Sequence, residues 1–207
     1  NLGKCHWADW ANGWSQDPQS LEQAFELSQR AIALDDSLTS ARIVLSDVYL
    51  WKRLHDQAIG VIERAVKLNP NCADAIEQQG EILIWAGRPQ EGMELVRKAM
   101  RLNPIYPVWY LWNLGHAYFL AVQHNEAIEI FKRALIVNPD FLPVHLLLAL
   151  IYAEKGLKEA AMVEVAEILR ISPETPSLET WCQRLPYKDH RVSERIIEGL
   201  RKAGLPE

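Results

Sequence analysis

Residues Val108 to Phe141 read VWYLWNLGHAYFLAVQHNEAIEIFKRALIVNPDF, and this stretch decides the fold. Leu111, Leu114, Gly115 and Tyr118 recur at helical spacing in its first half, and Ala127, Phe131 and Ala134 do so in its second. Two short amphipathic helices joined at Ala121-Val122-Gln123-His124 satisfy that pattern. Gly115 and Ala127 are small, as close helix crossing requires, and Leu114, Tyr118 and Phe131 are large enough to fill the space around them. Pro139 follows the second helix and stops it, because proline cannot extend the hydrogen-bond ladder.

The same wording recurs outward from this unit. Pro70, Pro104, Pro139 and Pro173 stand 34, 35 and 34 residues apart, three of them after Asn. Thr39 to Cys72 repeats the pattern through Leu45, Tyr49, Ala58, Ile62 and Ala65. Ala73 to Tyr106 does so through Gly80, Leu83, Gly92, Val96 and Ala99. Leu142 to Thr175 does so through Leu148, Tyr152, Ala161 and Val165. A weaker unit runs from about Cys5 to Asp36. Self-similarity at this period marks stacked helix-turn-helix units. The positions resemble the tetratricopeptide repeat (TPR) family. The resemblance implies an all-α, right-handed superhelix of about five units, near residues 5–38, 39–72, 73–107, 108–141 and 142–175. Residues 176–207 are expected to form a C-terminal helical cap: a short helix around Trp181, then one opened by Asp189 and closed by Gly204. Val192, Ile196, Ile197, Leu200 and Ala203 would cover the last apolar face.

Composition narrows the function. The chain of 207 residues is 49% apolar and 24% charged, with net charge −5, so binding to nucleic acid through phosphate neutralisation is not expected. The longest apolar stretch, Phe141 to Ala153, contains Pro143 and His145 and is too short to span a bilayer. Cys5, Cys72 and Cys182 are odd in number and far apart, which suits reduced thiols in a cytoplasmic setting rather than a disulfide framework or a metal site. No phosphate loop, nucleophile elbow or zinc-protease motif is present, so neither an enzyme nor a cofactor is expected. The chain starts at Asn1 with no leader pattern and reads as a piece of a longer protein.

In TPR arrays the first helix of each unit lines the concave face, and the resemblance implies the same here. The expected partner-binding residues are Asp47, Trp51, Glu77, Glu81, Trp85, Trp112, Asn113 and His116, with His6, Asp9 and Trp10 from the weak first unit. Phe119 and Glu154 share this inner face by repeat position. Trp51 and Trp85 are 34 residues apart and so occupy equivalent positions. A groove of this kind is acidic and aromatic. It fits a protein or peptide segment that is apolar with some Lys or Arg, because aromatic anchors supply area and cation–π contacts. The upstream part of the same protein is an alternative partner. The tryptophans equally suit packing, and the acids equally suit a solvated face. On the second helices Arg30, Arg64, Lys98 and Arg133 form a basic ladder, read as complementing the helix dipoles.

Three stretches carry a narrower resemblance. They are Trp85 to Gly92 with Arg97 to Pro104, Asn138 to His145, and Leu185 to Asp189 with Gly199 to Glu207. They are similar to the C-terminal TPR region of bacterial class III nucleotide-cyclase-type signalling proteins. That implies a regulatory array, with any cyclase metal-binding aspartates upstream of residue 1. Oligomeric state is left open.

Overall fold

The computed structural model describes residues 18–173 and 182–205. These residues hold helices and no strand. A single helix, α1 (Pro18–Leu34), precedes four pairs: α2 (Thr39–Trp51) with α3 (His55–Leu68), α4 (Ala73–Trp85) with α5 (Pro89–Leu102), α6 (Val108–Leu120) with α7 (His124–Val137), and α8 (Leu142–Glu154) with α9 (Lys158–Ile171). The last helix is α10 (His190–Ala203). Most of the weak first unit, including His6, Asp9 and Trp10, lies outside the described residues, as does Trp181.

Each pair turns in the same way. Arg53, Gly87, Val122 and Gly156 all adopt positive φ, between 59° and 82°. The next residue then donates its N–H back across the turn: Leu54 to the Tyr49 carbonyl at 2.8 Å, Arg88 to Leu83 at 2.8 Å, Gln123 to Tyr118 at 2.9 Å and Leu157 to Tyr152 at 2.9 Å. This left-handed termination satisfies carbonyls that the helix end would otherwise leave open. Glycine adopts it freely, whereas Arg53 and Val122 do so against their Cβ atoms. The second helix of each pair then starts with an acid in its first turn, Asp56, Glu91, Glu126 or Glu159, where the helix dipole favours negative charge.

Within pairs, small residues set the approach. In the third unit Gly80 meets Gly92: a Cβ on Gly92 would lie 2.5 Å from the Gly80 carbonyl oxygen. In the fourth, a Cβ on Gly115 would lie 2.4 Å from the Phe131 ring. The second helices bury one stripe each, such as Ala58-Ile62-Ala65 and Ala127-Phe131-Ala134. The first helices are buried more widely, and α8 is buried at every position from Val144 to Tyr152. The reason is topological. Each first helix packs on its own partner and on the first helices of neighbouring units, whereas successive second helices do not pack on one another. The array therefore curves with the first helices inside.

Helix α10 does not extend that series. Asp189 caps its start by accepting the Arg191 N–H at 3.1 Å, and Gly204 ends it at φ 96°. It packs mainly on α8, the inner helix of the last unit, and only lightly on α9. Gly199 makes that seat possible, since a Cβ there would lie 1.8 Å from Leu150 Cδ1. The C-terminal segment thus lies along the inner surface instead of only closing the end of the stack.

Candidate functional site

The residues expected to bind a partner sort into a polar and an aromatic group, and residues from elsewhere in the chain form a third group beside them. Asp47, Glu77 and Asn113 are buried and cross-link successive first helices. Gln78 Nε2 of α4 donates to Asp47 Oδ1 of α2 at 2.5 Å, and Asn113 Nδ2 of α6 donates to Glu77 Oε1 of α4 at 2.6 Å. Burying a polar group costs free energy unless it finds a partner, so these side chains fix how one unit stacks on the next. Beside them Tyr110 donates its hydroxyl to Asp74 at 2.8 Å.

Glu77 and Glu81 lie one helical turn apart on α4. Burial and the neighbouring Glu81 carboxyl hold the Glu77 carboxyl well above the usual carboxylate range. Burial also raises Glu81, partly offset by the indole N–H of Trp85, which donates to Glu81 Oε1 at 3.3 Å. The acid expected at this stretch therefore carries less negative charge than its sequence suggests.

The second group is aromatic. Trp85 and His116 have ring centroids 4.6 Å apart, and Trp112 stacks on His116 at 5.3 Å and on Phe131 at 5.9 Å. Trp85 is 4% exposed and His116 is fully buried, while Trp112 keeps part of its surface open. Trp51, equivalent to Trp85 in sequence, sits apart from this cluster and packs with Leu21, Ala24 and Val48.

The third group completes the site, and the sequence does not assign it there. Tyr187, 3% exposed, inserts its ring beside Trp85 at 4.5 Å, and its hydroxyl meets His116 Nε2 at 2.6 Å. Lys188 donates its backbone N–H to the Trp85 carbonyl at 3.1 Å. Arg53 reaches across from the first turn of the array and donates to the Leu185 carbonyl at 3.0 Å and to the Gln183 carbonyl. Further along, Arg195 donates to both oxygens of Glu154 at 2.7 Å and lies 4.7 Å over the Phe119 ring. Such a two-pronged guanidinium–carboxylate pair is directional as well as strong. Phe119 and Glu154 belong to the inner face by repeat position. Nothing in the sequence signals that the chain's own tail meets them, since its apolar helix reads only as a cover for the last apolar face of the array.

Burial drives the His116 imidazole down to about 3, so it is neutral where its hydroxyl partner touches it. Its Nδ1 has no hydrogen-bond partner. Cys182, at the head of the tail segment, is a free and buried thiol pushed up to about 12. Among the described residues no group of three or more His, Cys, Asp or Glu is arranged to hold a metal ion. None of their helices is long and apolar enough to cross a membrane.

Residues 118–180 match the tetratricopeptide repeat family. No curated protein matches the chain. Among solved structures the chain is similar to PilW, a type IV pilus biogenesis factor, at 19% identity over 98% of this chain and 90% of that one, with TM-score 0.72. It is also similar to a thermophilic TPR protein of Thermus thermophilus, TTC0263, at 20% identity over 97% and 98%, with TM-score 0.70. YrrB, a TPR protein with an unusual peptide-binding site, aligns at 19% identity over 85% and 90%, with TM-score 0.57. Together the comparisons support a TPR solenoid, and identities this low establish the fold alone.

Proposed function

We propose that this chain is a protein-interaction scaffold that takes a protein or peptide segment along its concave face. The inner stretch lined by Asp47, Trp51, Glu77, Glu81, Trp85, Trp112, Asn113 and His116 is the bound region in this reading. Trp85, Trp112 and His116 supply the aromatic wall. Glu81 and the open part of Trp112 are the groups a partner reaches first, while Asp47, Glu77 and Asn113 hold the wall in register. The observation that carries the reading is that the face already accommodates a segment of the expected chemistry. Tyr187 and Arg195 offer an aromatic side chain and a base, and they seat on Trp85, His116 and Glu154. Similar TPR folds include one described as having a peptide-binding site, which agrees with this use of the architecture. The reading assigns no catalytic residue and no cofactor.

A second reading draws on the resemblance to cyclase-linked arrays and on the self-occupied face. In it the array regulates a covalently attached upstream domain, and that domain supplies the partner segment.

The test is a pull-down with the chain as bait beside a Glu81→Lys bait of unchanged circular dichroism. Glu81 serves better than Glu77, whose burial would make a lysine there a folding defect. The reading predicts a partner retained by the first bait and lost by the second. Equal retention of every captured protein by both baits would refute it.

A further inference from the structure

The tail segment is not a unit of the repeat. Helices α2 to α9 form complete pairs whose stripes are buried within and between units, and residues 182–205 enter that structure from the inner side. Its contacts form a sequence of recognisable kinds. Arg53 of the array reads two carbonyls, those of Gln183 and Leu185. The Trp85–His116 pair takes one phenol. Glu154 and Phe119 take one guanidinium eight residues later. Leu150 admits only a glycine-sized residue one further turn along. Ile196, Leu200 and Ala203 are buried on the apolar side of the same helix. A turn read through its backbone carbonyls is thus followed by an amphipathic helix read through spaced anchors, and helix-in-groove recognition of this second kind is a general mode of peptide binding.

We infer that residues 185–205 are an internal mimic of the partner, and that the concave face selects a segment offering a tyrosine, an arginine eight residues on in a following helix and a small residue one turn after that. The inference rests on the scaffold reading and names its partner chemistry and its control. Two features carry it. First, charge and ring complementarity are specific to the tail: a phenol hydroxyl meets the buried His116 imidazole at 2.6 Å, and a guanidinium meets a carboxylate through two bonds at 2.7 Å beside His124. Secondly, the charged fastenings of the tail lie at its rims, around the one buried Tyr187–His116 bond. Lys188 pairs with the exposed Asp56 at 3.4 Å, and the Arg195–Glu154 pair is itself partly open to solvent. Exposed pairs of this sort hold weakly, so the seat rests on the Tyr187–His116 bond and on the buried Ile196, Leu200 and Ala203, which a partner of the same chemistry would have to replace. A tethered segment competes at an effective concentration on the order of millimolar, so a partner must bind tightly or arrive in a form that loosens the tail first.

The experiment uses a fluorescein-labelled peptide of residues 182–205 and the whole chain, with binding read by anisotropy. Gly199→Leu drives a side chain into Leu150, and Arg195→Glu sets two acids against each other. Both weaken the seat of the attached tail and leave the face that receives it unchanged. The expected result is that the peptide binds each folded variant at least ten times more tightly than the natural chain. Adding His116→Ala or Glu154→Gln to the same background is expected to remove most of that gain. Arg195→Glu changes a partly exposed residue and keeps the test decisive if Gly199→Leu unfolds the chain. Equal affinity for natural and variant chains, or no binding to a folded variant, would overturn the inference. So would a natural-chain dimer that Gly199→Leu dissolves, because the tail would then belong in a second copy. If the peptide behaves as expected but Glu81→Lys leaves partner capture unchanged, the tail is a removable occupant of the face, but the partner binds elsewhere and the mimicry falls with the scaffold site. The reverse pattern spares the scaffold reading alone.

Discussion

The Tyr187 hydroxyl and His116 Nε2 lie 2.6 Å apart across 71 residues of chain, and Trp85 contacts both rings. This junction joins the tail to the middle of the concave face. Tyr187→Phe keeps the ring stacking and removes the hydroxyl, leaving buried Nε2 without its partner. The expected loss of stability is about 1–3 kcal/mol, the desolvation cost of an orphaned buried polar atom. Urea denaturation followed by tryptophan fluorescence measures it, and an unchanged midpoint would mean that the hydrogen bond is not made in solution.

The same site gives stability two opposed pH dependences. His116 is held near 3 by burial against an ordinary value of 6.5. Its unfolded form takes up a proton before its folded form does, so its contribution is fully present above pH 6.5 and is lost as pH falls toward 3. Glu77 is raised above its ordinary 4.5, so its contribution is fully present below 4.5 and is lost as pH climbs through the raised value. Urea midpoints from about pH 4.5 to about 7.5 separate the two. His116→Gln is expected to flatten the acid-side fall. Glu77→Gln keeps an acceptor for Asn113 and is expected to gain on the natural chain as pH rises. Parallel curves for Glu77→Gln and the natural chain would contradict the buried-carboxyl account.

Gly115 faces a ring that cannot yield. A Cβ there would lie 2.4 Å from Phe131 Cε1, and Phe131 is fully buried. Gly115→Ala is therefore expected to destabilise by about 1–3 kcal/mol through overpacking, although alanine favours helix. A stabilised variant in thermal denaturation would show that α6 and α7 are further apart than described.

Val122 is the strained turn. It holds φ 60° with a β-branched side chain that is largely exposed. The left-handed conformation costs an L-residue roughly 1–2 kcal/mol, and glycine's extra chain entropy takes back about 0.5–1 kcal/mol. Val122→Gly is thus expected to raise Tm by about 2–4 °C. A fall in Tm would place the strain elsewhere.

Much of the architecture was legible because a solenoid writes its fold locally. The Asn-Pro stops, the Ala-x-x-x-Phe spacing and the turn before each second helix depend on neighbours within one unit, and helices α2 to α9 follow them. The common left-handed turn was legible at Gly87 and Gly156 but not at Arg53 and Val122, where stacking imposes a conformation that local preference opposes. The site was less legible, because burial of a first helix depends on what lies on the inner face. Glu77 and Asn113 read as ligand-facing groups by position, yet they pair with each other between units. Trp51 and Trp85 read as equivalents, yet one packs near α1 and the other lies under Tyr187. The first two follow from packing between neighbouring first helices and against α1, and the cover over Trp85 comes from residues 182–205, whose apolar face was visible and whose place on Trp85 was not.

The central claim is that the concave face is a binding surface on which the tail is a removable occupant. Amide hydrogen exchange on the natural chain tests it most directly, because it reads the opening free energy of each element separately. The account predicts that α10 and residues 185–189 exchange through an opening that leaves α4, α6 and α8 protected, at rates at least a hundredfold faster than those helices. Equal protection of α10 and α8, lost together only on global unfolding, would make the tail an inseparable part of the core and contradict the account.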